Sequence, residues 1–284
     1  SEQIVEDTVL HSAMLLLDIT KPREQQKLLS WFKDFVAHDQ SSWVQPLSEQ
    51  PDEDIDWLIP NWLQRGVVHQ YQGEMDKGKS MLTTHIGAQL SAGGVIFGEK
   101  VRAGKVLMFS AEDSPTKVIK ARAKSMGAEL SNIISLNGKV IPKFPSVIPE
   151  LYEIIVQHRP ELVVIDPILA MFEGDMNKET DVRGVISDFG LIADFFNIAF
   201  IVVTHTGKMK YNNPNHNALG SQGGSASVRA NYQIGLDEDT DERIITCIKS
   251  NNGGKKLSFK YKIEEHEGFK APRVIELGLT ETRA

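Results

Sequence analysis

The sequence predicts an α/β fold: a mostly parallel central sheet, antiparallel strands in the C-terminal third, and a small helical unit at the N-terminus. Three observations carry this. Short, nearly continuous apolar runs, GVVHQY, KVLMFS (Lys105 to Ser110), ELVVID (Glu161 to Asp166) and AFIVVTH (Ala199 to His205), alternate with segments of helix length. Strands buried on both faces by helices read this way. The first run leads into GEMDKGKS, Gly73 to Ser80, a glycine-bounded turn opening a helix-forming stretch. After Asn231 strand follows strand, YQIGLDED, ERIITCIKS, KKLSFKYKI and RVIELGL, with turn signals such as Asn252-Gly253-Gly254 between them; antiparallel strands extending one edge are expected.

Taken in order, the chain opens with the apolar SAMLLLDI. A helix follows in which Thr20 is the N-cap, Pro22 lies in the first turn, and Leu28, Leu29, Phe32, Phe35 and Val36 share one face. The polar, proline-containing stretch from Ser41 to Asp54 joins this unit to the rest. Helices are expected at Lys79 to Ala92, Pro115 to Met126, Val147 to Gln157 and Asp181 to Phe196. The division that follows is a helical appendage over 1–50, an α/β core over 55–265, and a C-terminal edge strand and tail over 266–284. No internal repeat or low-complexity tract interrupts it.

With 284 residues the chain can bury a substantial core. Its 31 Lys and Arg against 38 Asp and Glu give a net charge of −7, so any nucleic-acid contact must come from a local patch, not a global field. The single cysteine, Cys247, excludes an intrachain disulfide or a cysteine metal cluster. The apolar runs are too short to span a bilayer and the first residues lack a signal-peptide pattern. A cytoplasmic protein with no membrane association is expected.

Gly73 to Ser80 matches G-x-x-x-x-G-K-[ST] without a mismatch. Gly73 and Gly78 let the backbone turn so that successive N–H groups point at phosphate oxygens at a helix N-terminus. Lys79 then reaches the β and γ phosphates and Ser80 offers a hydroxyl to Mg2+. The expected contact set for ATP runs from Gly73 through Glu74, Met75, Asp76, Lys77, Gly78, Lys79 and Ser80 to Met81. The two interior acids are tolerable if their side chains point outward, with Lys77 offsetting charge locally; weaker phosphate affinity than in a glycine-rich loop is expected, not its loss.

Ligands of open α/β sheets bind at the carboxyl ends of the strands, so the residues closing each apolar run matter most. KVLMFS ends in Ala111-Glu112-Asp113. Glu112 is placed to polarise the attacking water as a general base, whereas Asp113 could equally cap the helix near Pro115. ELVVID ends in Asp166, expected to hold Mg2+ through water or through the Ser80 hydroxyl. AFIVVTH ends in His205, suited to hydrogen-bond the γ-phosphate and report its loss; the plainer alternative is a polar strand-end histidine.

A phosphate loop, a carboxylate on the next strand, a hydrophobic strand ending in Asp and a polar sensor follow the order of the RecA-like ATPase core. The sequence resembles that superfamily, most closely its RepA-type hexameric replicative helicases of plasmids and phages, in DWLIPNWLQRGVVHQYQGEMDKGKSML, FSAEDSPTKVIKARAKSMGA, LVVIDP, IVVTHTGK and GSQGGSASVRANYQIGL, over about residues 55 to 260. The resemblance implies a ring ATPase whose sites lie between subunits, with Lys79, Ser80, Glu112, Asp166 and His205 from one subunit and a cationic finger from the next. Relatives often have Arg where Gln222 stands, and Gln222 cannot supply the charge. Lys249, ahead of Asn251 in CIKSNN, and Arg229 are the candidate replacements, in that order.

Thr206 to Ser227, TGKMKYNNPNHNALGSQGGSAS, is a long polar loop, longer than compact domains usually leave unstructured. The resemblance places such a loop at the ring centre on DNA. Lys208 and Lys210 offer phosphate-neutralising charges and Tyr211 a stacking ring, a pairing used by single-strand binders. A plain surface loop is the alternative. The expected partners are single-stranded DNA and further copies of the chain in a hexameric ring. Two functions stay open: a DNA-stimulated ATPase that unwinds DNA, or an ATP-gated recombinase, mediator or loader that binds without unwinding. A small-molecule kinase fits less well, because no Arg-rich lid segment is present.

Overall fold

A computed structural model describes residues 46–175, 178–206, 228–251 and 256–284. The expected N-terminal helix, the turn at residues 252–254, Gln222 and the proposed DNA contacts Lys208, Lys210 and Tyr211 lie outside these residues. The chain divides into two compact units: residues 46–54 and Pro149–Glu153 belong to one, and Ile55–Ile148 with Ile154–Ala284 form the other.

The larger unit is α/β, as the apolar runs require. After a short hairpin, β1 (Trp57–Ile59) and β2 (Leu63–Gln64), come β3 (Val68–Gly73) and helix α1 (Lys79–Ala92). A second hairpin, β4 (Val95–Ile96) and β5 (Glu99–Lys100), leads to β6 (Val106–Ser110), α2 (Lys120–Ser125) and β7 (Ile133–Ser135). Helix α3 (Ile148–His158), β8 (Leu162–Asp166), α4 (Glu179–Phe196) and β9 (Ala199–His205) follow, and then β10 (Ala230–Asp237), β11 (Glu242–Ser250), β12 (Ser258–Glu264) and β13 (Arg273–Thr280). Among the described residues the main sheet has nine strands in the order β13-β12-β11-β10-β3-β9-β8-β6-β7.

Six neighbouring strands, β10 to β7 in that order, run parallel, and β11, β12 and β13 extend the sheet antiparallel. Strand β10 is the junction: Tyr232 lies level with Tyr71 in parallel pairing, while Ile234 opposes Ile245 in antiparallel pairing. The chain leaves β3, crosses to β6, and fills β8 and β9 back toward β3. The carboxyl ends of β3, β6, β8 and β9 therefore share one edge, where an open sheet of this type binds its ligands.

Each sheet face is sealed by a helix. Strand β8, LVVID, is buried at every position. Helix α1 buries Met81, Leu82, Ile86 and Leu90 in one core with Tyr71, Met108, Val164, Ile201 and Val203. Its small Gly87, Ala88 and Ser91 admit close neighbours, which is why it is buried nearly all round. Helix α4 is amphipathic, with Val182, Val185, Ile186, Phe189 and Ile192 buried at helical spacing. Phe189 stacks on Phe200 of β9 at a centroid distance of 5.5 Å.

Three local details depart from the sequence reading. The segment expected as one helix over Pro115 to Met126 begins with a wide π turn, Pro115–Ile119, before α2. Its cap is Ser114, whose Oγ accepts from the Lys117 N–H at 3.3 Å, whereas Asp113 pairs with Arg122 Nη1 at 2.5 Å. Capping by Asp113 is thus corrected: the guanidinium outcompetes a backbone donor for the carboxylate. Strand β7 went unread because it is three residues long and only half buried.

Candidate nucleotide site

The phosphate loop leaves β3 at Gly73, the residue in register with His205 of β9. A Cβ at Gly73 would lie 2.4 Å from the Ile234 carbonyl oxygen of β10, so only glycine lets the loop start beside that strand. At the other end Gly78 has φ 84°, the left-handed region that favours glycine. Between them Glu74, Met75 and Asp76 are exposed, as a loop that turns its backbone inward requires. Lys77 pairs with Glu238 on the β10–β11 turn at 3.2 Å, instead of offsetting the loop's own acids.

Lys79 is buried, and its ammonium donates to the carbonyls of Gly73 at 2.9 Å and Glu74 at 2.5 Å. Burial pushes its pKa down to about 8, against the opposing pull of Asp166, Asp76, Glu112 and Glu74. Asp166, the last residue of β8, is buried as well, and burial pushes its pKa up to about 6. Hydrogen bonds from Ser80 and Thr83 and the charge of Lys79 work the other way. Thr83 Oγ1 donates to Asp166 Oδ2 at 3.0 Å.

Glu112 is exposed in the bend after β6. The bend is fixed to β8 by the Ala111 N–H, which donates to the Asp166 carbonyl at 3.1 Å. His205 is half-buried, and both its ring nitrogens are buried without a hydrogen-bond partner among the described residues. Burial lowers its pKa, the charge of Lys79 lowers it further, and Glu112 and Asp76 raise it. These couplings place Lys79, Glu112, Asp166 and His205 around one loop.

The donor set suits Mg2+ bound to a triphosphate. No described group of three or more His, Cys, Asp or Glu could hold a metal alone. Mg2+ takes oxygen ligands and typically uses one or two carboxylates plus substrate phosphates and water. The Ser80 hydroxyl and the buried Asp166 carboxylate, close enough for Ser80 to oppose the burial-driven rise of the Asp166 pKa, would meet that need.

The remaining sequence candidates lie elsewhere. Met81 is part of the core, so only its backbone N–H, in the first turn of α1, is available to a phosphate. Lys249 stands opposite Asn231, and its ammonium donates to the Val228 carbonyl at 2.7 Å. Arg229 is exposed just before β10. Because β10 runs parallel to β3, with Ala230 level with His69, both cations sit toward the strand end opposite the loop. At about 3.3 Å per residue that is roughly 10 to 16 Å of strand away. Neither belongs to its own chain's loop.

Two residues escaped the sequence reading. Thr83, which orients Asp166, sits one helical turn after Lys79; that spacing was a usable signal. Arg243 gave none, because the acidic turn before it reads as plain solvent-exposed hairpin. Its Nε lies 3.5 Å from where a Gly78 Cβ would sit, and its Nη1 donates to the Asp241 carbonyl at 2.8 Å.

Compared with protein families, residues 36–210 match the family described as AAA domain. The match takes in the loop, Glu112, Asp166 and His205. No curated protein matches the chain. With more than half of its length matched and the phosphate loop at the carboxyl edge of a parallel sheet, the chain belongs to the AAA domain family of P-loop ATPases.

Proposed function

We propose that the chain is an ATP-driven motor on single-stranded DNA, a replicative-type helicase of the RepA kind serving a plasmid, phage or mobile element, and that it acts as a hexameric ring. The observation that carries this reading is the placement of His205. It borders the loop at Gly73, has two unpartnered ring nitrogens among the described residues, and leads within one residue into the stretch bearing Lys208, Lys210 and Tyr211.

Each residue has a proposed task. Lys79 and the backbone of residues 73–81 hold the phosphates. Ser80 and Asp166 hold Mg2+, which when bound draws charge from the β and γ oxygens. Thr83 keeps the Asp166 carboxylate turned toward Ser80, and Glu112 takes a proton from the attacking water. His205 binds the γ-phosphate and passes its loss to the DNA-contacting stretch. Lys249 or Arg229 reaches the site of the adjacent subunit, in keeping with their distance from their own loop. Residues 1–50 dock on that subunit; removing them should lower the mass in solution from ring to smaller species, and an unchanged ring would refute the docking.

Unwinding of a forked duplex tests the motor reading. ATP-dependent strand separation, lost in Lys79→Ala, is expected; ATP-dependent DNA binding without separation would favour the second reading, a loader or recombinase-like binder. One observation favours that second reading. Lys249 already donates to Val228 of its own chain, so with Gln222 in place of the usual arginine the first-ranked replacement would have to be drawn from a contact it already makes. A trans cation is worth about 10³ to 10⁵ in rate.

A further inference from the structure

We infer that helix α2 and the loop after β7 form a second single-strand contact surface, in addition to the proposed contacts Lys208, Lys210 and Tyr211. This inference rests on the proposed action on DNA.

The sequence segregates charge sharply here. Residues 115–147 contain Lys117, Lys120, Arg122, Lys124, Lys139 and Lys143 but only one acid, Glu129. That is +5 within a chain of −7, so the rest carries −12. The fold then gathers these cations at one edge. Ile119, Ala123 and Met126 bury the inner side of the helical segment, leaving Lys117, Lys120 and Lys124 exposed. Glu129 is occupied by Ser131, accepting from its N–H and its hydroxyl.

The loop after β7 continues the surface, because Gly138 sits against Pro115, whose Cδ is 3.7 Å from where a glycine Cβ would be. Lys139 and Lys143 are exposed there, with Val140 and Ile141 between them 72% and 46% exposed. Arg122 is engaged with Asp113, and Lys143 donates to the Ala170 carbonyl while keeping its charge at the surface. Lys117, Lys120, Lys124 and Lys139 have no ion pair among the described residues.

Exposed cations flanking apolar side chains fit a ligand with a regular run of negative charge and apolar faces beside it. A single-stranded polynucleotide is such a ligand: its phosphates meet the lysines and its bases find apolar contact, without ring stacking, at Val140 and Ile141. The surface begins three residues after Glu112. It ends where the turn bearing Glu265 and Glu267 meets α2, through His266 Nδ1 and the Ser125 carbonyl at 2.9 Å. A strand held here passes beside the hydrolysis site.

The test compares four proteins: wild type, Lys117→Ala/Lys120→Ala/Lys124→Ala/Lys139→Ala, Lys208→Ala/Lys210→Ala, and all six changes together. Anisotropy of a labelled 30-nucleotide oligo(dT) is followed from 50 to 300 mM salt, with basal ATPase as the control. The four-lysine variant should bind about tenfold more weakly at low salt and lose about 2 to 3 from its log–log salt slope, since each single-strand phosphate contact contributes about 0.7. Its basal ATPase should be unchanged. Wild-type affinity and slope in that variant would overturn the inference. Failure of wild type to bind oligo(dT) at all would instead sink the DNA reading as a whole, so the two failures are distinguishable.

Discussion

Lys79 and Asp166 are two buried charges whose pKa values burial drives toward neutrality, Lys79 down to about 8 and Asp166 up to about 6. For Lys79 the consequence is a binding one. Only the protonated ammonium attracts phosphate, so ADP affinity of the free protein should fall as pH rises through about 8. Titration calorimetry at pH 7 and pH 9 checks this. Lys79→Ala should bind weakly at both values and hydrolyse ATP about 100-fold more slowly or worse; equal affinity of the wild type at both pH values would refute it.

For Asp166 the consequence is one of stability. Its folded pKa lies above the ordinary value of 3.8, so the folded state binds more protons than the unfolded one between about pH 4 and 6. The stabilisation is fully present below pH 4 and is lost as pH rises through 6. Asp166→Asn escapes that loss. Free of nucleotide and metal, it should melt a few degrees higher than wild type at pH 7 while showing no measurable ATPase. A melting point at or below wild type would mean that the Ser80 and Thr83 hydrogen bonds outweigh burial.

At the scale of elements, what could be read from the sequence follows from how apolar each run is. Strands β6, β8 and β9 stand out as apolar runs and β3 is marked by the phosphate loop that follows it, so their strand-end residues are legible in the sequence. The π turn at Pro115, the three-residue β7 and the two short hairpins depend on tertiary contacts and carry no periodicity. Arg243 was hidden for the same reason, since pairing of β10 with β11 alone brings it to Gly78.

Strand β3 also conceals a polar ladder. Gln70 donates to Thr204 Oγ1 at 3.0 Å, Gln72 to Gln233 Oε1 at 2.9 Å, and Asn231 to Gln72 Oε1 at 3.2 Å, joining β9, β3 and β10 below the loop. By contrast His69 is structural: burial lowers its pKa to about 4, its Nε2 accepts from the Gln64 N–H and its Nδ1 donates to the Phe200 carbonyl. Gln72→Ala would leave the buried Asn231 amide nitrogen and the half-buried Gln233 Oε1 without these partners, at a cost of about 1 to 3 kcal/mol in chemical denaturation. A loss below about 0.5 kcal/mol would show that the ladder contributes little net stability.

Across the whole molecule, charge and topology assign different faces to different tasks. The carboxyl edge of the parallel strands holds the nucleotide chemistry. Lys249 and Arg229 lie toward the far end of β10 from their own loop, and in the proposed account they serve another subunit's site. In the proposed account the cationic edge around α2 and the stretch after His205 serve DNA, and residues 115–147 carry a single acid, Glu129, within a chain of −7. None of the described helices is long and apolar enough to cross a membrane. The trans arrangement is implied only by the resemblance, because a finger acting on another copy would leave no trace in its own chain's loop geometry.

The most direct test of the central claim is steady-state ATP hydrolysis with and without a saturating single-stranded oligonucleotide, for wild type, Lys79→Ala and Lys208→Ala/Lys210→Ala. The account predicts hydrolysis in the wild type that rises severalfold with DNA, no hydrolysis in Lys79→Ala, and basal hydrolysis without stimulation in Lys208→Ala/Lys210→Ala. A wild-type rate indifferent to DNA at every salt concentration, or full stimulation in the double-lysine variant, would contradict it.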